Sequence, residues 1–295
     1  GDPKQLPPTA FFQRTTSSED AEQAVEVDTE ALDEESILDL CTKSFHPVRR
    51  LKWHYRSRHG SLIAFSNKHF YNNELVVFPS CDRDFAISRH LVEAPRYTKG
   101  VNLPEVKQVC DVVLQQLEEH PERSIGVVAM NEAQSEEIGE QLEMLSIHHD
   151  ELRRRLELTD SSEGLFVKSL EKVQGDERDT IVISTTYGPA EPGGGVAMRF
   201  GPINQNGGHR RLNVLFTRAK YGIELVTSME SHQIQPTATS SQGVHALKGY
   251  LKFVESQSLE TGRQSGRDPD SEFEIVVAEA LTRHGYQVDC QVGVA

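Results

Sequence analysis

Two clusters of basic residues mark the chemistry this chain could do. Residues 43–68 carry Lys43, Arg49, Arg50, Lys52, Arg56, Arg58 and Lys68, with no acid among them. A second cluster holds Arg210, Arg211, Arg218 and Lys220. A planar guanidinium offers paired N–H donors that match phosphate oxygens two at a time, so arginine-rich clusters suit phosphate binding or stabilisation of a transferring phosphoryl group. The other use of any one of them is an ordinary ion pair on the surface. The formal net charge of −14 hides this pattern, because residues 17–39 are densely acidic and contain no Lys or Arg. For a phosphate site, the placement of charge decides more than its sum.

Other chemistries find less support. The four cysteines (Cys41, Cys81, Cys110, Cys290) form no C-x-x-C pair, which argues against a zinc knuckle or a disulfide framework and for reduced thiols in a cytoplasmic setting. The twelve histidines have no spacing that favours a metal, and no metal site is expected. No apolar run reaches the length of a membrane span. No secretory leader opens the chain; GDPKQLPPT reads as the middle of a domain. Trp53, beside His54 and Tyr55, is read as a core aromatic, with a stacking platform as the alternative.

The elements that must position these residues follow from periodicity. SIGVVAM (124–130), LFVKSL, TIVISTTYG and GIELVTS (222–228) are apolar runs of strand length. Between them, Leu103–Glu119 has the apolar spacing of an amphipathic helix, and Ser135–Leu145 and RRLNVLFTRAK also read as helices. A short helix is expected from Ser36 and another over HGSLIAFSNKHFY, with an extended piece at Arg49–Trp53. Buried strands alternating with helices predict an α/β fold, a parallel sheet with helices on both faces, from about Ser36 to Val254. GRQSGRDPD (262–270) is a polar linker, and the tail from Ser271 reads as an amphipathic helix leading into a strand.

Five segments, in order, resemble the motifs of superfamily 1 helicases, on the branch typified by the nonsense-mediated-decay helicase. GDPKQLPPT is similar to motif III, and WHYRSRHGSLIAFSNKHFY to motif IV with its following helix. VVAMNEAQSEEI is similar to the strand and helix after it, KSLEKVQGDERDTIVIS to motif V, and RRLNVLFTRAK to motif VI. The resemblance covers about residues 1–228 and implies a RecA-like domain of the P-loop NTPase type, the second of two that close around ATP. It assigns Arg56 and Arg218 as the arginines reaching across the cleft, and Gln5 as the sensor of the γ-phosphate. Gly175 and Glu177 would face the nucleotide; Asn131, Gln134, Lys168, Ser169 and Gln174 would meet single-stranded DNA or RNA. On the page of the sequence alone, Gly175 is a turn residue that lets backbone approach a phosphate closely, and Arg218 falls on a helix fixed by Leu212, Leu215 and Phe216.

The sequence also departs from that pattern. No G-x-x-x-x-G-K-[ST] occurs in it, so the primary hold on the ATP phosphates and Mg²⁺ is expected in an N-terminal RecA-like domain outside this chain. This piece alone is then expected to be inactive. The implied organisation is the end of that first domain plus an acidic connection at 1–35, the second domain at 36–258, and a linker at 259–270. Residues 271–295 resemble the start of a restriction-endonuclease-like domain, with Glu272 and Glu274 as candidate early acids.

Overall fold

The computed structural model describes residues 2–6, 37–77, 84–158, 161–257, 271–286 and 288. In chain order it begins with α1 (Ile37–Ser44), β1 (Trp53–His54), α2 (Ser61–Phe70), β2 (Val76–Val77), β3 (Ile87–Leu91), β4 (Tyr97–Thr98) and β5 (Val101–Asn102). Next come α3 (Leu103–Glu119), β6 (Ile125–Ala129), α4 (Glu132–Ser146), α5 (Asp150–Glu157), β7 (Phe166–Ser169) and β8 (Arg178–Ser184). The last are α6 (Gly208–Phe216), β9 (Ala219–Thr227), α7 (Gln242–Ser256) and α8 (Glu272–Arg283).

Five strands make one parallel sheet in the order β3-β9-β8-β6-β7. The apolar run of β6 is explained by cover on both faces: every one of its positions is buried. Val127, Ala129 and Val182 face a core shared with Val106, Val109 and Val113 of α3, Ile138 and Leu142 of α4, and Leu152 of α5. Val128, Ile181 and Ile183 face the opposite core, with Leu62 and Phe65 of α2, Leu212 and Phe216 of α6, and Leu247 and Tyr250 of α7. In that second core Phe216 and Tyr250 stack at 3.5 Å, and Phe65 sits edge-on to both. Those rings lock α2, α6 and α7 into one unit against the sheet. Together the parallel sheet and its two helical layers give the RecA-like α/β fold.

Two readings need correction. The helix over RRLNVLFTRAK stops at Phe216, so Arg218 lies in a turn and Ala219 already belongs to β9. Thr217 ends the helix: its hydroxyl donates back to the Asn213 and Val214 carbonyls, and pairing of Ala219 with Arg178 then draws the chain into the sheet. Trp53 is 61% exposed, so it is no core aromatic. The edge strand β3 and α5 carry no expectation from the sequence, because their apolar residues are few and their polar ones dense; α7 carries none either, although Val244, Leu247, Leu251 and Val254 repeat at helical spacing and are buried. α8 begins at a Ser271 cap whose hydroxyl accepts from the Glu274 N–H. The strand expected after it, the acidic stretch up to residue 36 and the linker lie outside the described residues. Among the described residues no helix is long and apolar enough to cross a membrane.

Behind the carboxyl ends of β8 and β9 sits a buried polar knot. The Glu105 carboxyl, fully buried at the start of α3, accepts from Ser184 Oγ (2.7 Å), Thr185 Oγ1 (3.1 Å) and the Thr186 N–H (2.7 Å). Burial outweighs these donors and pushes its pKa up to about 7. The folded state therefore holds a proton that the unfolded chain releases near the ordinary carboxyl value, and stability attributable to Glu105 falls as pH rises from about 4.5 to about 7. Above that window the penalty is constant. Glu105→Gln keeps the shape of the knot, since the Thr185 hydroxyl can rotate toward Thr227 Oγ1 at 3.0 Å. Urea unfolding of both proteins across this range is expected to show the decline in the wild type and its loss in the variant. Parallel profiles would refute the assignment.

Candidate nucleotide and nucleic-acid sites

The structure sorts the candidate residues onto two edges of the sheet. At the amino ends of β8 and β9, three arms converge. The Arg56 arm is tied down because the Arg58 N–H donates to the Lys220 carbonyl (2.8 Å) and Ser57 Oγ to the Ala219 carbonyl (3.3 Å). Glu177 ends the loop that leads into β8, and Arg218 occupies the turn that leads into β9. Arg56 Nε donates to Glu177 Oε2 at 2.7 Å and its Nη1 to the Thr217 carbonyl at 3.1 Å. Lys220 Nζ adds a second cation 3.2 Å from Glu177 Oε1. The Arg56 hydrogen bond, more than Lys220, holds the Glu177 carboxyl below its ordinary range.

Arg218 differs from Arg56 in being buried. Its side chain is 3% exposed; Nε donates to the Val214 carbonyl (2.8 Å), Nη2 to Thr217 Oγ1 (3.2 Å) and Nη1 toward the Asp176 carbonyl (3.4 Å). Burial first, and then the neighbouring Arg56 charge, lower its pKa to about 10, so it stays cationic near neutral pH. Gly175 sits in the same loop at φ +96°, and a Cβ there would meet nothing within 4 Å. Conformation, rather than space, requires glycine at this turn. His54 accepts from the Ser57 N–H at 3.1 Å, and burial and the Arg56 charge lower its pKa to about 4, so it serves as a neutral acceptor holding the arm.

The short segment Asp2–Leu6 docks on this edge. Gln174 Nε2 donates to the Leu6 carbonyl (3.0 Å), and Asn213 Nδ2 donates to the Lys4 carbonyl (2.9 Å). Gln174 therefore keeps company with the Gln5 loop and not with the other residues expected to meet nucleic acid. A cleft of about 780 Å³ opens beside the segment, lined by Lys4, Gln5, Arg49, Arg50, Lys52 and Arg56, with Trp53 and Tyr55 on its wall. Among the described residues the carboxylates on that lining are Asp2 and Glu74. Such a wall of N–H donors fits a polyphosphate. It does not fit Mg²⁺, and among the described residues no group of three or more His, Cys, Asp or Glu converges to hold a metal.

Three of the remaining candidates, Asn131, Gln134 and Ser169, gather at the opposite edge, after β6 and β7. Asn131 caps α4, accepting from the Gln134 N–H at 2.8 Å while its Nδ2 donates to the Gly100 carbonyl at 2.8 Å. Gln134 is fully buried, and its amide is used inside the protein: Oε1 accepts from the Asn102 N–H (2.8 Å) and Nε2 donates to Ser184 Oγ (3.1 Å). Ser169 is buried against Glu132, whereas Lys168 reaches back to the first edge, where it pairs with both oxygens of Asp176 (2.7 and 2.9 Å).

A model of a known family matches residues 33–230, from just before α1 to just past β9, and its description is an AAA domain (AAA_12). The chain belongs to the AAA domain family. It is 32% identical over 287 residues to a protein of Mycoplasma pneumoniae described as an uncharacterized ATP-dependent helicase, a homolog of MG140; the match covers 93% of this chain and 25% of the relative. It is 33% identical over 272 residues to the corresponding Mycoplasma genitalium protein, covering 90% of this chain and 24% of the relative. The chain thus spans about a quarter of the length of these relatives. A solved structure, the C-terminal domain of a possible DNA helicase from Lactobacillus plantarum, aligns with a TM-score of 0.35 and 15% identity over 59% of this chain and 86% of that one.

Sequence reasoning missed two participants on the first edge, Tyr71 and Asn213, which link the Asp2–Leu6 segment to α6. It also missed the Glu105 knot. A signal for the knot existed in the polar run Ser184-Thr185-Thr186 directly after a buried strand.

Proposed function

We propose that this chain is the C-terminal part of an ATP-dependent superfamily 1 helicase or translocase of the nonsense-mediated-decay-helicase-like branch, acting on single-stranded DNA or RNA. One observation carries the reading: the Gln5 loop, Arg56, Glu177 and Arg218 meet at one edge of the sheet beside a basic cleft. ATP held by a first RecA-like domain would present its terminal phosphates there. That domain, ending in residues 1–35, would supply the phosphate-binding loop and hold Mg²⁺; the metal's contribution is to neutralise phosphate charge. Residues 36–258 are then the second motor domain, working in the cytoplasm. The names of the two Mycoplasma relatives support ATP as the fuel.

In this reading Arg56 exchanges Glu177 for phosphate oxygens when the domains close. Arg218, drawn from its carbonyl nest, stabilises charge on the transferring phosphoryl group. Gln5 bonds the γ-phosphate and loses that partner on hydrolysis. Glu177 and the Gly175 turn line the nucleotide. At the far edge Asn131 and Ser169 are the groups nearest to a strand of nucleic acid, with Gln134 fixing the loop beside Asn131; Lys168 reaches toward the first edge through Asp176, and Gln174 holds the Gln5 loop. Contacts of this polar kind follow the backbone and need no base sequence.

ATP hydrolysis by the full-length protein, measured with and without single-stranded homopolymers of DNA and RNA, tests the proposal. Strong stimulation by at least one polymer is expected. Hydrolysis indifferent to both would overturn the motor reading and leave a nucleic-acid-binding module on a retired motor fold. A helicase-linked nuclease is the second reading. It is favoured by α8, an amphipathic helix whose Phe273 and Val276 are 75% and 62% exposed. Residues 271–295 would then open a restriction-endonuclease-like domain, with Glu272 or Glu274 as its early acid.

A further inference from the structure

We propose that Tyr71 and Asn213 are positioning residues that seat the Gln5 loop on the Arg218 turn, so that a change at Gln5 is passed to Arg218 through the Tyr71 hydroxyl. The proposal rests on the motor reading above, and it concerns two residues to which that reading gives no role.

Tyr71 caps the carboxyl end of α2, partly buried at the rim of the basic cleft. A phenol has one donor and two acceptor positions, and here the donor and one acceptor are used. The hydroxyl donates to Asp2 Oδ2 at 2.7 Å and accepts from Asn213 Nδ2 at 3.0 Å, and the Gln5 side chain lies beside it on the cleft, facing the remaining position. Burial, and then Asp2, push its pKa up to about 12, so the donor proton stays in place at any physiological pH.

From Asn213 the connection continues without a gap. Asn213 is fully buried on α6 and holds the Lys4 carbonyl with the same Nδ2. The Thr217 hydroxyl donates to the Asn213 carbonyl at 2.9 Å, and Arg218 Nη2 donates to that hydroxyl at 3.2 Å. The Gln5 loop, Tyr71, Asn213, Thr217 and Arg218, from three segments of the sequence, are therefore linked in series, with Asn213 holding Tyr71 by its side chain and Thr217 by its main-chain carbonyl. Asn213 Oδ1, buried as well, has no hydrogen-bond partner among the described residues. A buried acceptor left unpaired raises the free energy of the state that contains it. The network is thus satisfied on the loop side and unsatisfied on the α6 side, which favours a shift of the loop that brings Asn213 a donor.

Packing alone would not need these groups. Leu6 already packs on the core, and a phenylalanine ring at position 71 would fill the same space. What the hydroxyl adds is a fixed direction for Gln5 and Asp2, and loss of a hydrogen bond to a charged partner is worth about a tenfold change in a rate that depends on it.

The test uses the full-length protein and its ATP hydrolysis stimulated by single-stranded nucleic acid. Tyr71→Phe is expected to lower kcat by about tenfold with little change in the KM for ATP. Gln5→Ala is expected to lower kcat as well, and adding Tyr71→Phe to it should cost nothing more, because the hydroxyl acts through Gln5. If the two losses multiply, or if Tyr71→Phe alone keeps wild-type kcat, the positioning role is overturned while the motor reading stands. If the wild type shows no stimulation, the motor reading falls and takes this proposal with it. Thermal unfolding accompanies each variant. Should Tyr71→Phe unfold near the assay temperature, Asp2→Asn removes the charged acceptor from the loop, with the same loss and the same non-additivity expected.

Discussion

Replacing Arg218 by alanine is expected to reduce nucleic-acid-stimulated ATP hydrolysis of the full-length protein by about a hundredfold or more, the scale of a lost arginine finger. A planar cation is matched to the equatorial oxygens of a transferring phosphoryl group, and lysine at this place would keep the charge but lose the fork. Arg218→Lys should therefore recover only a small part of the activity. The geometry sets a control. Arg218 is buried and bonds three acceptors inside the protein, so alanine takes a donor from each of the Val214 and Asp176 carbonyls, of which Val214 keeps Thr217. Some loss of stability is expected with the loss of rate, and the rate must be compared at a temperature where both proteins are folded. A folded Arg218→Ala protein with wild-type stimulated hydrolysis would remove Arg218 from the chemistry and leave it a structural arginine of the β9 turn.

How much of this was legible beforehand depends on the kind of signal. The sheet was, because β6 and most of β8 are buried on both faces and read as continuous apolar runs, and β9 buries Ile223, Leu225 and Val226. The α3 helix was legible to the residue, since Val106, Val109, Val113 and Leu117 repeat at helical spacing and all are buried. Arg56, Glu177 and Arg218 stood out by type and by order along the chain, and the fold brings them to one place. Less legible was anything decided by a partner far away in sequence. β3 is recognisable only beside β9, and Trp53 only by what fails to cover it. The end of α6 was overrun because RRLNVLFTRAK has good helical residues throughout; the sheet, through Ala219 and Arg178, takes the last of them away. Gln134 illustrates the limit most sharply. A glutamine beside a strand end reads as a surface contact, yet the structure spends its whole amide on Asn102 and Ser184. Whether an amide points in or out is settled by its neighbours in space, which local spacing does not contain.

A second large effect is expected far from the phosphates, at Gly243. The Ile203 carbonyl projects between the first turns of α6 and α7, where Ser241 Oγ donates to it at 3.0 Å. A Cβ on Gly243 would lie 2.1 Å from that oxygen and 3.1 Å from the Gly208 carbonyl carbon. These are backbone atoms, so no side chain can swing aside to make room. Gly243→Ala is accordingly expected to destabilise the fold by about 3 kcal/mol, at the upper end of overpacking costs, which corresponds to roughly 6–12 °C in Tm for a domain of this size. The effect should reach the functional edge as well. α6 and α7 are joined through Phe216 and Tyr250, and the Arg218 turn hangs from the end of α6. Moving α7 outward to relieve the clash would move that turn with it. Calorimetry of the variant gives the first number, and stimulated hydrolysis well below its melting range gives the second. A variant with an unchanged Tm would mean that the Ile203 turn can yield, and that the close approach of the two helices is not what fixes the arginine in place.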